Sequence, residues 1–516
     1  MNWSVTCTGG SGSATCGSVD SHGVYTAPSN TSAGTVSVVV SSKIDPNKTA
    51  SATVAVNSSY NNILKGSYAF VYRGFWQGDP GQASGILVFD GSGNVTSGTS
   101  DNIVVRTPAV NLQNIPTTGT YQVGSDNRGS MNLSNSVATA TFRFAVTASG
   151  ETVSMEYFSD PSIRGTAILR KQDASAFNNA ALSGDYVFQL NGADVNGTRL
   201  ASLGRFHADG NGNITSGTYD MNDGTKWIQD LSVNGTYAVG SNGSGTMKLT
   251  VVTYGTFNYS FYVVNSGRIW LTSIDTPATS VPMQAGEAVL QTGGPYSNGS
   301  LNGASIFNLN GRISATTARI TIGLATPDGK GQIAGILDEN NAGVNVVGVT
   351  YNATYSIDAN GRGTLTSTTL PAMVFYVSAP NTAFLMEAPG SAVRTGSLEP
   401  QFALNYTTAH FLGAYAGATV PPALPNSVTV SQVVSYDGVG NDLDHEDACS
   451  PNGYYPDGYL TGTYAIATNG RSIVSVPGQG VVAVQYLVSP GRYWEILYLA
   501  PMTPPEDKTL MTVNEQ

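Results

Sequence analysis

Residues able to do chemistry are scarce in this chain of 516 residues, and only one stretch gathers them. Asp442, Asp444, Glu446, Asp447 and Asp457 fall within 16 residues, together with His445 and Cys449. Clustered side-chain oxygens in a loop suit a hard cation, so Asp442, Asp444 and Glu446 form a candidate calcium site. The competing reading is a solvated surface loop inserted between two strands. Calcium is the one cofactor the sequence suggests.

Elsewhere the search for a reaction comes up short. The chain has four histidines and contains no Gly-x-Ser-x-Gly elbow, no His-Glu-x-x-His motif and no phosphate-binding Gly-x-x-x-x-Gly-Lys loop. Glu156, Glu387 and Glu495 each follow Met or Trp late in a repeat. No second carboxylate keeps a fixed distance from them, so they read as structural, with Arg164 or Arg394 as partners if they point inward. No nucleophile–base pair recurs, and the expectation is a protein that is not an enzyme. Exposed aromatics offer another chemistry, stacking on glycans. Trp76 is the candidate for that, with Trp227 and Trp494 in strand-like contexts where core packing is the alternative.

Charge removes whole classes of partner. Lys and Arg total 23 and Asp and Glu total 34, a net charge of −11. Such a chain is repelled by nucleic-acid phosphates, and no Lys/Arg cluster offsets this, so no nucleic-acid partner is expected. No apolar run approaches the ~18 residues of a membrane helix, so no membrane span is expected. The first residues lack the basic and apolar regions of a signal peptide, which suggests a fragment of a longer secreted chain. Cys7 and Cys16 flank a Gly/Ser turn, Thr8 to Thr15, at a spacing that lets adjacent strands carry a disulfide. Cys449 is left over, in the acidic loop, either free or paired between chains.

The elements behind these residues are strands. Segments of five to eight residues alternate apolar and polar, as in Thr141-Phe142-Arg143-Phe144-Ala145-Val146, and Gly/Asn/Asp/Ser turns separate them. The best helical candidate is one or two turns capped by Asp173. Three landmarks then repeat in one order. The first is Leu-x-Gly-x-Tyr-x-Phe at Leu64 and Leu182, with weaker copies at Leu301 and Leu412. The second is an Asp-Gly turn at Asp90, Asp209, Asp328 and Asp437, spaced 119, 119 and 109 residues apart. The third is Thr-Tyr, at Tyr121, Tyr237, Tyr355 and Tyr464, spaced 116, 118 and 109. This divides the chain into an N-terminal segment, 1–58, and four β repeats at 59–172, 173–292, 293–401 and 402–516, the last divergent.

Each repeat holds about eight strands joined by tight turns. The fold expected is therefore all-β, with four tandem antiparallel β-barrel-like repeats of about 110–120 residues; a two-sheet sandwich is the alternative. The Asp-Gly turns read as hairpins rather than calcium loops, because the glycines that follow cannot ligate through side chains. The repeated tyrosines are expected to plug the core and hydrogen-bond a backbone group at its rim.

Residues 1–58 carry Trp3-Ser4-Val5, then Gly23-Val24-Tyr25-Thr26-Ala27-Pro28, then two alternating runs at Val36–Val40 and Ala52–Val56. This resembles a bacterial immunoglobulin-like domain of the group 2 kind that lacks its first strands. The repeats are similar to uncharacterised tandem β repeats of large secreted bacterial proteins. The resemblance implies an extracellular or cell-surface location and a structural or adhesive role. A fibre subunit is one form of it, with a strand from another copy completing the N-terminal domain; Thr509 to Val513 is a candidate donor. The partners expected are further copies or other surface proteins. The alternative is a surface protein that binds carbohydrate or another small ligand.

Overall fold

The computed structural model describes residues 1–7, 16–20, 23, 25–26, 34–56, 60–278, 280–402, 405–498, 506–507 and 509–516. At the N-terminus, Asn2–Cys7, Gly34–Ser41 and Thr49–Val56 form a three-stranded antiparallel sheet with Gly34–Ser41 in the middle. Ser18–Val19 pairs separately with Tyr25–Thr26. Cys7 and Cys16 are joined by a disulfide, as their spacing suggested. The Thr8 to Thr15 turn, His22 and the Ala27-Pro28 end of the likeness lie outside the described residues.

Four closed barrels follow, each of eight antiparallel strands in sequence order. Their strands span 65–171, 183–290, 305–400 and 412–515. Alternation explains each strand's two faces. In Thr139–Val146, Phe142, Phe144 and Val146 enter the first barrel's core, while Arg143 and Ala145 face out. Closure comes from pairing the last strand on the first, with Lys171 opposite Tyr68, Leu290 opposite Tyr186, Pro400 opposite Ser305 and Glu515 opposite Ala416. A closed sheet has no unpaired edge, and that favours the barrel over an open meander. Each seam is pinched at a glycine. A Cβ on Gly74 would lie 1.9 Å from the Arg164 carbonyl oxygen, and one on Gly192 would lie 1.7 Å from that of Met283.

The repeated landmarks do equivalent jobs. Asp90 Oδ1 accepts the Ser92 and Asn94 amides at 2.6 and 3.0 Å, and Asp209, Asp328 and Asp437 hold their own turns in the same way. These bonds hold all four carboxyls below their ordinary range. The Tyr121 hydroxyl donates to the Asn61 and Leu64 carbonyls at 3.0 and 2.9 Å, fixing a short 3-10 turn over the barrel mouth. Tyr237, Tyr355 and Tyr464 make the same latch. The helical candidate after Asp173 is two 3-10 turns, Ala174–Ala176 and Asn179–Ala181.

The barrels also meet one another. Asp338 of the third barrel is fully buried and accepts both Arg471 nitrogens at 2.7 Å and the Tyr486 hydroxyl at 2.6 Å, all from the fourth. Asp220 of the second barrel receives Arg362 and Tyr376 of the third. Asp101 of the first receives Tyr262 of the second at 2.6 Å. Asp447 of the fourth then receives Arg128 of the first, also at 2.6 Å. Each donor is therefore the next barrel around, and the fourth reaches back to the first. Head-to-tail contacts of this kind close into a ring when the rotation between units allows it.

Candidate functional site: the axial cavity

The ring surrounds a cavity of about 830 Å³ that all four barrels line. The lining comes chiefly from the seams where first and last strands meet, as in Lys65–Trp76 and Ile163–Lys171 of the first barrel. Glycines at these seams, Gly74, Gly192, Gly286 and Gly396, carry no side chain into the space. The barrel interiors are different. Aromatic and aliphatic side chains fill the first three, the fourth adds buried acids to an apolar core, and the apolar gap inside the third is only about 30 Å³. A space of 300–1,000 Å³ suits a small organic ligand, whereas about 30 Å³ suits one water.

Charge is unevenly arranged around the cavity. Glu515 is paired with Arg170 at 3.3 Å and also with Arg492, whose Nε lies 2.6 Å from Glu399. Glu287 faces Arg268 at 3.4 Å, and Glu151 faces Lys171 at 3.4 Å. Three arginines on the lining, Arg73, Arg199 and Arg312, pair with no carboxylate among the described residues. Arg199 Nη2 instead donates to the Asn310 carbonyl at 3.2 Å and to Asn191 Oδ1 at 3.4 Å. Arg312 Nε donates to the Ala423 carbonyl at 2.5 Å, and its guanidinium lies 5.4 Å from the centre of the Phe75 ring. Burial, then the neighbouring Arg312 and Arg73, push Arg199 down to about 9. Burial pushes Arg73 down to about 10, against the attraction of Glu287.

The residues singled out from sequence lie elsewhere. Asp442, Asp444 and Glu446 are not in a loop but on the strand Asn441–Ser450, on its inward face. Charges at alternate positions hid the strand's apolar alternation. They join Glu495, which accepts hydrogen bonds from Gln485 at 2.8 Å, Thr512 at 2.9 Å and Gln432 at 3.1 Å. Burial and Glu495 push Asp442 up to about 6, and Asp444 and Glu446 are raised too. Among the described residues, no group of His, Cys, Asp and Glu is placed to hold a metal ion.

Glu156, Glu387 and Glu495 do not occupy one repeated position. Strand register aligns Glu495 with Met155 and Leu385, not with Glu156 or Glu387. Glu156 faces outward to Thr429 of the fourth barrel at 2.9 Å, and Glu387 pairs with Arg394 at 2.6 Å. Arg164 lies 3.8 Å from the Cys449 sulfur. That thiol is on a strand, wholly buried at the joint between the fourth and first barrels, and burial pushes it up to about 12. It is not available to another chain. Thr509 to Val513 is likewise not free, because Leu510–Glu515 is the closing strand of the fourth barrel.

Trp76 is half-buried, edge-on to Tyr72 at 5.0 Å, and packs on the first barrel's core. Trp227 packs between the second and third barrels. Trp494 lines the cavity and donates to Glu399 at 2.9 Å. The arginines were missed because they occupy non-equivalent places, Arg73 and Arg312 on first strands and Arg199 on a second strand. No protein-family model matches the chain, and no curated protein matches it.

Proposed function

We propose that the chain is a ligand-binding protein of the cell exterior, in which four barrels frame one axial binding cavity. The observation that carries this reading is the contrast between the filled barrel interiors and the 830 Å³ space at their common centre. The Cys7–Cys16 disulfide supports an oxidising compartment, as does the likeness of residues 1–58 to secreted immunoglobulin-like modules. The test is to screen the whole chain against small metabolites and oligosaccharides by thermal shift. Gln189, which lines the cavity, is then replaced by Trp to fill it. A ligand that stabilises the wild-type chain and not Gln189→Trp supports the reading. Ligands that stabilise both equally overturn it.

A second reading, a surface structural or adhesive protein that self-associates, has one observation in its favour. Among the described residues, Asn2–Cys7 and Thr49–Val56 are the edge strands of the N-terminal sheet, where a strand from another copy or another surface protein can add. Light scattering over a range of concentrations tests it; a monomer throughout removes it.

A further inference from the structure

The axial cavity combines two properties that stand in tension. The chain as a whole is acidic, at −11, yet seven cationic side chains and only four carboxylates line this space, a surplus of 7 − 4 = +3. Four of the cations face the four carboxylates. The surplus is therefore Arg73, Arg199 and Arg312, contributed by the first, second and third barrels. The ring brings together three guanidiniums that lie far apart in sequence.

Desolvated like charges are costly when nothing neutralises them. Glu287 attracts Arg73 but also faces Arg268, so it cannot neutralise both, and no carboxylate among the described residues pairs with Arg199 or Arg312. The two donors with fixed geometry are anchored through part of their guanidinium only. Arg199 uses Nη2, and its buried Nε has no partner among the described residues. Arg312 uses Nε, with its plane held near Phe75. Unused N–H groups and an uncompensated +3 field describe half of a charge-assisted hydrogen-bond network. The missing half is an acceptor with several negative oxygens. The cavity is much larger than a single sulfate or phosphate, so the oxygens belong to an organic molecule.

We propose that the axial cavity binds a small organic polyanion, a polycarboxylate or a sulfate or phosphate ester, through Arg73, Arg199 and Arg312. This rests on the reading of the cavity as a binding site and adds the chemical class of the ligand. The ring itself is part of the recognition, since no single barrel supplies more than one of the three arginines. The fourth barrel contributes Ala423, whose carbonyl orients Arg312.

The experiment uses the whole chain in chloride buffer at fixed ionic strength. Citrate, sulfate, phosphate and maltotriose are titrated separately, with melting temperature and calorimetry as readouts. Citrate is expected to bind saturably, and sulfate and phosphate more weakly at the same place; their ranking separates carboxylate from ester chemistry. Arg199→Gln and Arg73→Gln are each expected to weaken citrate by about tenfold or more. Arg205→Gln, which lies off the cavity, should leave it unchanged. Without ligand, the two cavity variants should melt at or above the wild-type temperature, because each removes a repelling charge. A loss of binding then cannot be put down to unfolding. Anions that act no better than chloride, or that act equally on Arg199→Gln, overturn the assignment. If maltotriose alone binds and Gln189→Trp blocks it, the polyanion class is wrong while the cavity reading stands. If neither class binds, both fall.

Discussion

Asp338 shows how much one side chain holds. Its carboxylate takes the Gly348 amide at 2.8 Å within its own barrel and an arginine and a tyrosine from the next. Arg471→Ala would leave that charge buried with one phenol and one amide, at a cost of about 3 kcal/mol, to be measured by chemical denaturation. Among the described residues Asp101 receives a tyrosine and the Asn114 amide but no arginine, so Tyr262→Phe should cost less, about 1–2 kcal/mol. The inward acids of the fourth barrel make its stability depend on pH. Asp442 is raised to about 6 from an ordinary 3.8, so the folded state favours its protonated form. Its contribution to stability is fully present below about pH 4 and is lost as pH rises through 6. Asp444, Glu446 and Glu495 are shifted the same way. The fourth barrel should therefore melt at a higher temperature at pH 5 than at pH 7.5. Asp442→Asn should narrow the gap, as followed by tryptophan fluorescence from Trp494.

At the scale of elements, most of the barrel was legible. Alternation marked the strands and the Asp-Gly turns marked hairpins, because those patterns follow from local geometry. Each latch tyrosine was legible as a rim plug. Tyr237→Phe should cost about 1 kcal/mol by losing its bonds to Asn179 and Leu182, and Asn179→Ala should add to that by freeing the Val239 amide. The strand Asn441–Ser450 was not legible. Its inward positions carry Asp442, Asp444 and Glu446 where the third barrel has Ile333, Gly335 and Leu337, and a run of charges mimics a loop. The joint aspartates were readable in principle. Asp101, Asp220, Asp338 and Asp447 each follow their Asp-Gly turn by 10 or 11 residues. What the spacing does not show is their purpose, which only the partner in the next barrel reveals.

For the whole molecule, the four joints are not equal. Apolar clusters fill the three between consecutive barrels, such as Ile306, Ile320 and Ile322 against Tyr486, Trp494 and Ile496. The closing joint has a small cluster, Ala145 with Ala416 and Val433, and relies on polar contacts. Arg128 reaches Asp447 at 2.6 Å and Asp457 at 3.1 Å, and Phe158 packs on Tyr454 at 4.6 Å. Arg128→Ala should loosen this joint selectively. Hydrogen exchange should rise in Thr139–Val146 and Asn441–Ser450 while Thr317–Pro327 stays protected.

The head-to-tail order of the joints has a consequence for how the polypeptide can be threaded. Glu515 at the end of the fourth barrel already touches Arg170 of the first. That contact sets the closing strand of the fourth barrel beside the closing strand of the first. A bridge from residue 516 to residue 60, with a new break placed at the connection around residue 292, gives a rewired polypeptide that starts with the third barrel. It should reach the same assembly, because each barrel closes with its own eight strands and borrows none from its neighbours.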